Sequence, residues 1–450
     1  MATLGLAAGI GSLLLGMWLA TVKTVAAAPA AAATPTFNKD IAPIIYSHCA
    51  TCHRPGEIAP FSLLSYDDAA RRAKKIAGIT AKHAMPPWKA EAGYGEFANE
   101  RRLTDAEIAR IGEWARAGAP EGDPKDKPAP PKFPEGWQSG TPDKILTIDG
   151  SYTIPGDGSD QYRCFVLPLN LDREVNLAGI EFRPGNRKIV HHAIMYLDTT
   201  GAGRRLDAAT PEPGYSCFGG PGFPPSGGIG GWAPGAMPPP AIDGVSKTLK
   251  PGTDVVVQIH YHPCGHDEHD ASSIGLTFTT AKPTRGQAGI VLGSRRIDIA
   301  PGDANYVVKS SITVPRDVEL VAITPHAHYL CRDMKVNADL PDGRRVPLIW
   351  IKDWDFNWQG SYTYKQPVHL PRGTLVWFEY TYDNSAANPH NPADPPVHVT
   401  WGEQTHDEMA LAFLRVLLPT PADEVDFQRA MRQQYVKSFL GRLIGSGIEP

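Results

Sequence analysis

The rhythm of apolar and polar positions changes several times along the chain. Residues 4–22 form one apolar run without internal period, and an alanine-rich stretch follows to Ala33. Phe37 to Gly118 reads as helical. In Leu103–Gly118, Ile108, Ile111, Trp114 and Ala115 share one face, while Thr104 and Glu107 form a capping-box pattern, so this stretch closes the segment as a helix packed on the first one. Pro120 to Pro142 places seven prolines among polar residues, a composition that supports neither a helix nor a central strand. From Lys144 to about Leu418 the pattern becomes short β-branched and aromatic runs broken by Gly, Pro and Asp. They fall at 143–148, 162–167, 189–196, 254–261, 275–280, 306–314, 318–324, 375–382 and 411–418. No amphipathic helix intervenes, which predicts antiparallel β-sandwiches. A break at 281–289 divides them into two of similar length. Residues 211–240, rich in Gly and Pro, predict a long irregular loop. Helical spacing returns over 422–443, through Val425, Phe427, Met431, Tyr435, Phe439 and Leu443.

A chain of 450 residues exceeds what one hydrophobic core serves. The expected fold is multidomain: residues 1–33 as a signal peptide or anchor, a small all-α domain at 34–120, and a Pro-rich linker at 121–143. Antiparallel, jelly-roll-like β-sandwiches follow at 144–282 and 283–420, then a helical tail at 421–450.

With 20% charged residues, a net charge of -4 and no basic block, the sequence argues against nucleic acid or an anionic membrane surface as partner. A small molecule or another protein is left. The first 33 residues have the apolar core and A-x-A sites of an export signal, but no Lys or Arg precedes the apolar run and Lys23 follows it, so an uncleaved membrane anchor is the alternative. Of six cysteines, Cys164, Cys217, Cys264 and Cys331 are scattered and fit an oxidising compartment. The expected location is periplasmic or secreted.

Cys49, Cys52 and His53 form C-x-x-C-H, the attachment signature of a c-type haem: both thiols bond the porphyrin and the imidazole ligates iron. A redox C-x-x-C or half a zinc site would need a thioredoxin-like pattern or a second C-x-x-C. Neither is present. Met85 is the axial candidate on the other face, with His83 and His48 as competitors. Residues 34–120 resemble small c-type cytochromes.

The remaining histidines cluster in strand-like runs. His326 and His328 alternate and project to one face, as do His260 and His262. Adjacent His191 and His192 would point to opposite faces of a regular strand, so joint ligation requires a twist, a bulge or a strand end. Imidazoles joined by the thioether of Met409 suit copper better than zinc, calcium or magnesium. Asp407 and Glu408 leave a two-His-one-carboxylate iron site as the alternative.

Five motifs, VHHAIMYLD, GGWAPG, VVVQIHYHPC, TPHAHYL and GEQTHDEMALAFL, follow one another over residues 144 to about 418. In that order and spacing they resemble the copper type II, ascorbate-dependent monooxygenases, the family of the peptide-amidating and dopamine β-hydroxylating enzymes. The resemblance implies an electron-transfer copper on His191, His192 and His260 and an oxygen-binding copper on His326, His328 and Met409. It implies hydroxylation of a C–H bond of a small organic substrate with O2, re-reduction by ascorbate or a redox protein, and a Cys164–Cys264 disulfide, which leaves Cys217 with Cys331. Substrate-carboxylate contacts of the amidating enzymes correspond here to Thr324, Leu411 and Phe413, so a C-terminally carboxylated peptide is not expected and the pocket should be more apolar. The fused haem is expected to deliver electrons first to the His191/His192/His260 copper and from there to the second. The rival class is a non-catalytic haem and copper protein for electron transfer or copper binding.

Overall fold

The computed structural model describes residues 33–443, apart from Ile58, Asn99, Glu135, Ser151 and Gly235. The expected export segment, save Ala33, lies outside the described residues. Among those described, no helix is long and apolar enough to cross a membrane.

A π-helical turn, Phe37–Ile41, runs into the helix Ala42–His48, and shorter helices at Tyr66–Ala70 and Ala73–Ala81 lead to Asp105–Arg116. The capping box forms as the sequence indicates, with Thr104 accepting from the Glu107 amide and the Glu107 carboxylate accepting from the Thr104 amide. Phe37, Ile41 and Ile45 of the first helical stretch pack with Ile111 and Trp114 of the last. Apolar spacing thus buries one stripe of each helix.

The rest is mostly β-sheet. Residues 144–279 make a five-stranded sheet, ordered 215–216, 161–168, 254–261, 190–198 and 227–232, and a four-stranded one, ordered 144–147, 273–279, 175–183 and 247–249. Val257, Ile259 and Met195 of the first meet Ile274, Leu276 and Phe182 of the second in one core. Residues 286–418 repeat the scheme with two four-stranded sheets: 286–294, 410–418, 318–326, 362–370, and 306–313, 375–382, 331–339, 345–351. Ile290, Leu320 and Leu414 face Val336, Phe378 and Tyr380 across this second core. All ladders are antiparallel. Strand alternation sets the faces: Ala410, Ala412, Leu414 and Val416 are buried inward, while Leu411, Phe413 and Arg415 project from the opposite face.

Two local expectations change. The break at 281–289 is shorter than expected, because pairing resumes at Gly286. The Gly/Pro-rich loop contains an edge strand, Gly227–Trp232, laddered to Val190–Asp198 from Ala193↔Trp232 to Leu197↔Gly227. A ladder is made by backbone groups, so glycines can complete it where side chains give no strand signal. The C-terminal helix, Asp423–Leu443, packs on the second core through Phe427 and Met431.

The helical segment is joined to the second pair of sheets by backbone bonds. Glu91 N–H donates to Trp350 O at 2.7 Å, Ala98 N–H to Thr363 O at 2.7 Å, and Lys365 N–H to Glu96 O at 2.9 Å. Lys89 also pairs with Asp353 at 2.8 Å.

The cysteine pairing differs from that implied by the resemblance. Cys164 is bonded to Cys217, with Cα atoms 5.8 Å apart, and Cys264 and Cys331 are free thiols. Register explains it: Cys164 lies opposite Tyr215 on one side and Gln258 on the other. Cys264 is six residues beyond Gln258, so it is carried past the end of the ladder. Cys331 sits in the second core, opposite Tyr382. Alkylation of unfolded, unreduced protein is expected to label Cys264 and Cys331 and to spare Cys164 and Cys217; peptide mapping reads this directly. Replacing Cys164 and Cys217 together by serine should cost about 2–4 kcal/mol in denaturant unfolding.

Candidate metal centres and haem-attachment segment

His191 and His192 come together through a break in register. The ladder between Val190–Asp198 and Asp254–Tyr261 pairs Val190 with Tyr261 and His192 with His260, leaving His191 as the extra residue. That bulge brings both imidazoles to His260. The three Nδ1 atoms lie 3.4, 3.2 and 3.3 Å from one another. The centre of a triangle with 3.3 Å sides is about 1.9 Å from each corner (side divided by √3), close to the roughly 2.0–2.1 Å of a metal–imidazole bond.

His260 is oriented from behind. Its Nε2 donates to Asp160 Oδ2 at 2.8 Å, which fixes Nδ1 as the nitrogen with the free lone pair, and Tyr162 stacks on the ring at 4.3 Å. Asp160 also receives a bond from exposed His262 at 2.7 Å, so His262 serves the carboxylate rather than the triangle. Burial, and secondarily His260, brings His191 down to about 4; burial likewise holds His192 well below its ordinary value. His191 and His192 can therefore present lone pairs at neutral pH.

His326 and His328 leave the end of the strand Val318–His326 with ring centroids 5.3 Å apart and planes nearly perpendicular. His326 Nδ1 is 2.6 Å from Gln359 Oε1, and His328 Nδ1 is 3.0 Å from the Asp407 carbonyl. Both partners only accept, so each Nδ1 carries the proton and each Nε2 keeps its lone pair. Burial, then His326, brings His328 down to about 3. This is the opposite nitrogen from the one His260 offers.

Glu408 is buried, and its carboxylate gathers three backbone N–H groups: His328 at 3.0 Å, Leu330 at 2.8 Å and Met409 at 3.1 Å. Burial raises it to about 8, with those bonds acting in the other direction. Met409 is further fixed by Tyr382, whose hydroxyl donates to its carbonyl at 2.6 Å. With both oxygens committed to backbone, Glu408 positions the segment carrying His328 and Met409 and is a poor ligand, which weakens the two-His-one-carboxylate alternative. Asp407 uses Oδ2 to accept from Gln404 N–H.

Phe356 stands between the two groups. Its ring is 5.4 Å from His191, stacked, and 5.5 Å from His328, edge-on. Trp354, on the same loop, donates from Nε1 to His328 O at 3.0 Å.

In the C-x-x-C-H segment, His53 Nδ1 donates to Phe61 O at 3.1 Å, leaving the Nε2 lone pair free. Burial, then Cys52, pushes the Cys49 thiol up to about 12, against the lowered thiol of a dithiol oxidoreductase. Trp88 Nε1 and Arg101 Nε are buried donors without acceptors, and Arg101 lies 5.9 Å from the Trp88 ring. The Cys49 and Cys52 thiols and the His53 imidazole are the groups that would hold a haem. Met85 is half-buried; His83 is exposed, and His48 is engaged at both ring nitrogens, by Arg101 O and by Glu107.

Asp160, Phe356, Gln359 and the clamping role of Glu408 carry no sequence pattern that marks them. Each acts on a residue distant in the chain, as Asp160 on His260, Gln359 on His326 and Glu408 on His328. Cys264, His266 and Glu268 form a further group whose ligand atoms lie within 4.8 Å of one another.

No family model matches this chain, and no curated protein matches it. Solved structures with some likeness include the major capsid protein P2 from Bacteriophage PM2, at 9% identity and TM-score 0.27, covering 61% of this chain and 97% of that one. The infectious bursal disease virus VP2 subviral particle gives 11% identity and TM-score 0.19 over 62% of this chain and 71% of that one. PNGF-II gives 9% and 0.21, over 63% of each. Likeness at this level says nothing about what the chain does.

Proposed function

We propose that the chain is a copper-dependent monooxygenase, hydroxylating a C–H bond of a small organic substrate with O2 and receiving electrons through a haem c held by Cys49, Cys52 and His53 with Met85 as axial ligand. The observation that carries the reading is the convergence of three Nδ1 atoms at a spacing that suits one ion, together with a second pair of imidazoles held with Nε2 free. His191, His192 and His260 would hold one copper, and His326, His328 and Met409 the other. Copper in these positions would supply one-electron redox chemistry and, with a thioether among its ligands, activation of dioxygen. A periplasmic or secreted setting, with ascorbate or a redox protein upstream, belongs to the same proposal.

The protein's own residues have separable tasks. Asp160 sets the tautomer and ring angle of His260. Gln359 and the Asp407 carbonyl do the same, on the other nitrogen, for His326 and His328. Glu408 keeps His328 and Met409 in register across two strands, and Phe356 fills the space between the groups and excludes water from it. A second reading, a copper-carrying protein without substrate chemistry, is favoured by the Cys264, His266 and Glu268 group.

Purified holoprotein should contain about two coppers and one haem per chain, and a turnover product should carry oxygen from labelled O2. Two coppers with no oxygen-dependent product from a broad metabolite screen would favour the carrier. Met409→Ala is expected to abolish hydroxylation while the haem spectrum and the His191/His192/His260 copper remain. Glu408→Ala leaves three buried backbone N–H groups without their acceptor, a loss of about 1–3 kcal/mol. It should lower copper affinity at His326/His328/Met409 alone, and copper titration followed by EPR would show an equal loss at both sites if Glu408 had no such local role.

A further inference from the structure

A cavity of about 670 Å³ lies between the two pairs of sheets, with Ile180, Met195 and Trp232 on one side and Thr324, Phe413 and Arg415 on the other; Cys52 borders it. Its second wall is the outward face of the sheet that ends in His326. Register lays this face out in rows. Gly289, Arg415, Ala322 and Thr363 lie side by side across four strands; Val291, Phe413 and Thr324 form the next row, and Gly293, Leu411 and His326 the third. Arg415 is flanked by the two smallest side chains available, and a Cβ added at Gly289 would meet nothing within 4 Å.

The charged residues around the cavity are accounted for, with one exception. Glu57 is paired with Arg54 and Arg187, Lys247 with Glu424, and Glu181 accepts from the amides of Gln138 and Ser139. Arg183 lies over the Trp137 ring. Arg415 makes no ion pair among the described residues, and its Nε and Nη2 are buried without an acceptor. Burial alone pushes it below its ordinary value, and no carboxylate acts to hold it up. Arg415 is half-buried and a guanidinium stays protonated in a protein, so two buried nitrogens facing the cavity without an acceptor or counter-charge are costly and suit an anion.

We infer that Arg415 is a carboxylate-binding residue, and that the cavity takes an elongated organic acid whose acid group rests on Arg415 and whose body runs past Phe413 and Thr324 toward His326. The inference rests on the reading of His326, His328 and Met409 as the oxygen site. The strand is a ruler: Arg415 is four residues from Leu411, the partner of His326, which places the acid group about 13 Å from the row of the reacting end. Phe413 and Thr324 therefore line the way between the two ends, and the Thr324 hydroxyl donates to Ser361 Oγ at 2.8 Å. Carboxylate could also come from a haem propionate, since Cys52 borders the same space; Trp88 and Arg101 offer the haem donors of their own.

The test is calorimetric titration of the copper-loaded, haem-containing protein with straight-chain monocarboxylates of increasing length, using primary alcohols of equal length as the uncharged control. Acids should bind more tightly than their alcohols. Arg415→Gln should weaken the acids about tenfold to a hundredfold and leave the alcohols unchanged. Ala322→Asp, which sets a carboxylate beside Arg415, should have the same effect without removing the arginine. If the wild-type protein discriminates no acid but Arg415→Gln shifts the haem reduction potential, the carboxylate is a propionate; the anion site stands and the external acid does not. Equal binding of acids and alcohols with an unchanged potential overturns the inference. Copper content, measured on the same samples, separates this from the monooxygenase reading, which fails if copper stays well below two per chain whatever the acids do.

Discussion

One unpaired residue in a β-ladder sets the geometry on which the first candidate centre depends. With regular pairing, His191 and His192 would leave the strand on opposite sides, one toward the core and one away. The extra residue at His191 cancels half a period, and the neighbouring strand Asp254–Tyr261, buried along its whole length, is rigid enough to hold the distortion. The glycine edge strand on the other side closes the sheet without crowding the imidazoles. The bulge is therefore held by the Asp254–Tyr261 strand, with the glycine edge strand pairing only from Ala193 onward, and the Nδ1 triangle is a property of the sheet more than of the histidines.

The two groups of imidazoles use one device in mirror form. A nitrogen that donates to a carboxylate, carbonyl or amide oxygen leaves its partner nitrogen as the electron-pair donor. For His260 the occupied nitrogen is Nε2, on Asp160; for His326 and His328 it is Nδ1, on Gln359 and the Asp407 carbonyl. Burial lowers His191, His192, His326 and His328 below the ordinary imidazole value, and the hydrogen bonds to His326 and His328 decide which nitrogen keeps the proton. Phe356 then packs against a ring from each group, which ties their separation to the loop 352–361 rather than to solvent.

What could be read in the sequence follows from the range of the interaction concerned. Residue type and alternation are local, and the runs at 254–261, 306–314, 375–382 and 411–418 match strands to within a residue. The need for a twist, a bulge or a strand end at His191/His192 was legible for the same reason, since facing is fixed by the nearest neighbours; which of the three it is was not. The partner of Cys164 was not, because it depends on which residue of a distant strand falls opposite, and a shift of a few residues decides it. Asp160 and Gln359 are single polar residues in loops, indistinguishable there from solvated ones. Arg415 looks in sequence like an outward strand position, and becomes unusual only when the first pair of sheets covers it.

The placement of the helical segment bears on how the parts communicate. A proline-rich tether suggests a segment whose distance from the sheets is set by the linker and which meets the His191 group first. The contacts do not single out that order. Glu57 pairs with Arg187 of the first pair of sheets at 3.3 Å, while Lys89–Ala98 is hydrogen-bonded to strands of the second. The linker is itself held, with the Asn38 amide donating to the carbonyls of Gly122 and Asp123 and Gln138 accepting from Arg54. A segment anchored at both ends and on both partners needs no tether to set its distance. Cys52 and Thr324, two residues before His326, then border one cavity. Whatever fills that cavity touches the C-x-x-C-H segment and the sheet face that leads to His326, so its occupant bears on the relation of the two more than the linker does.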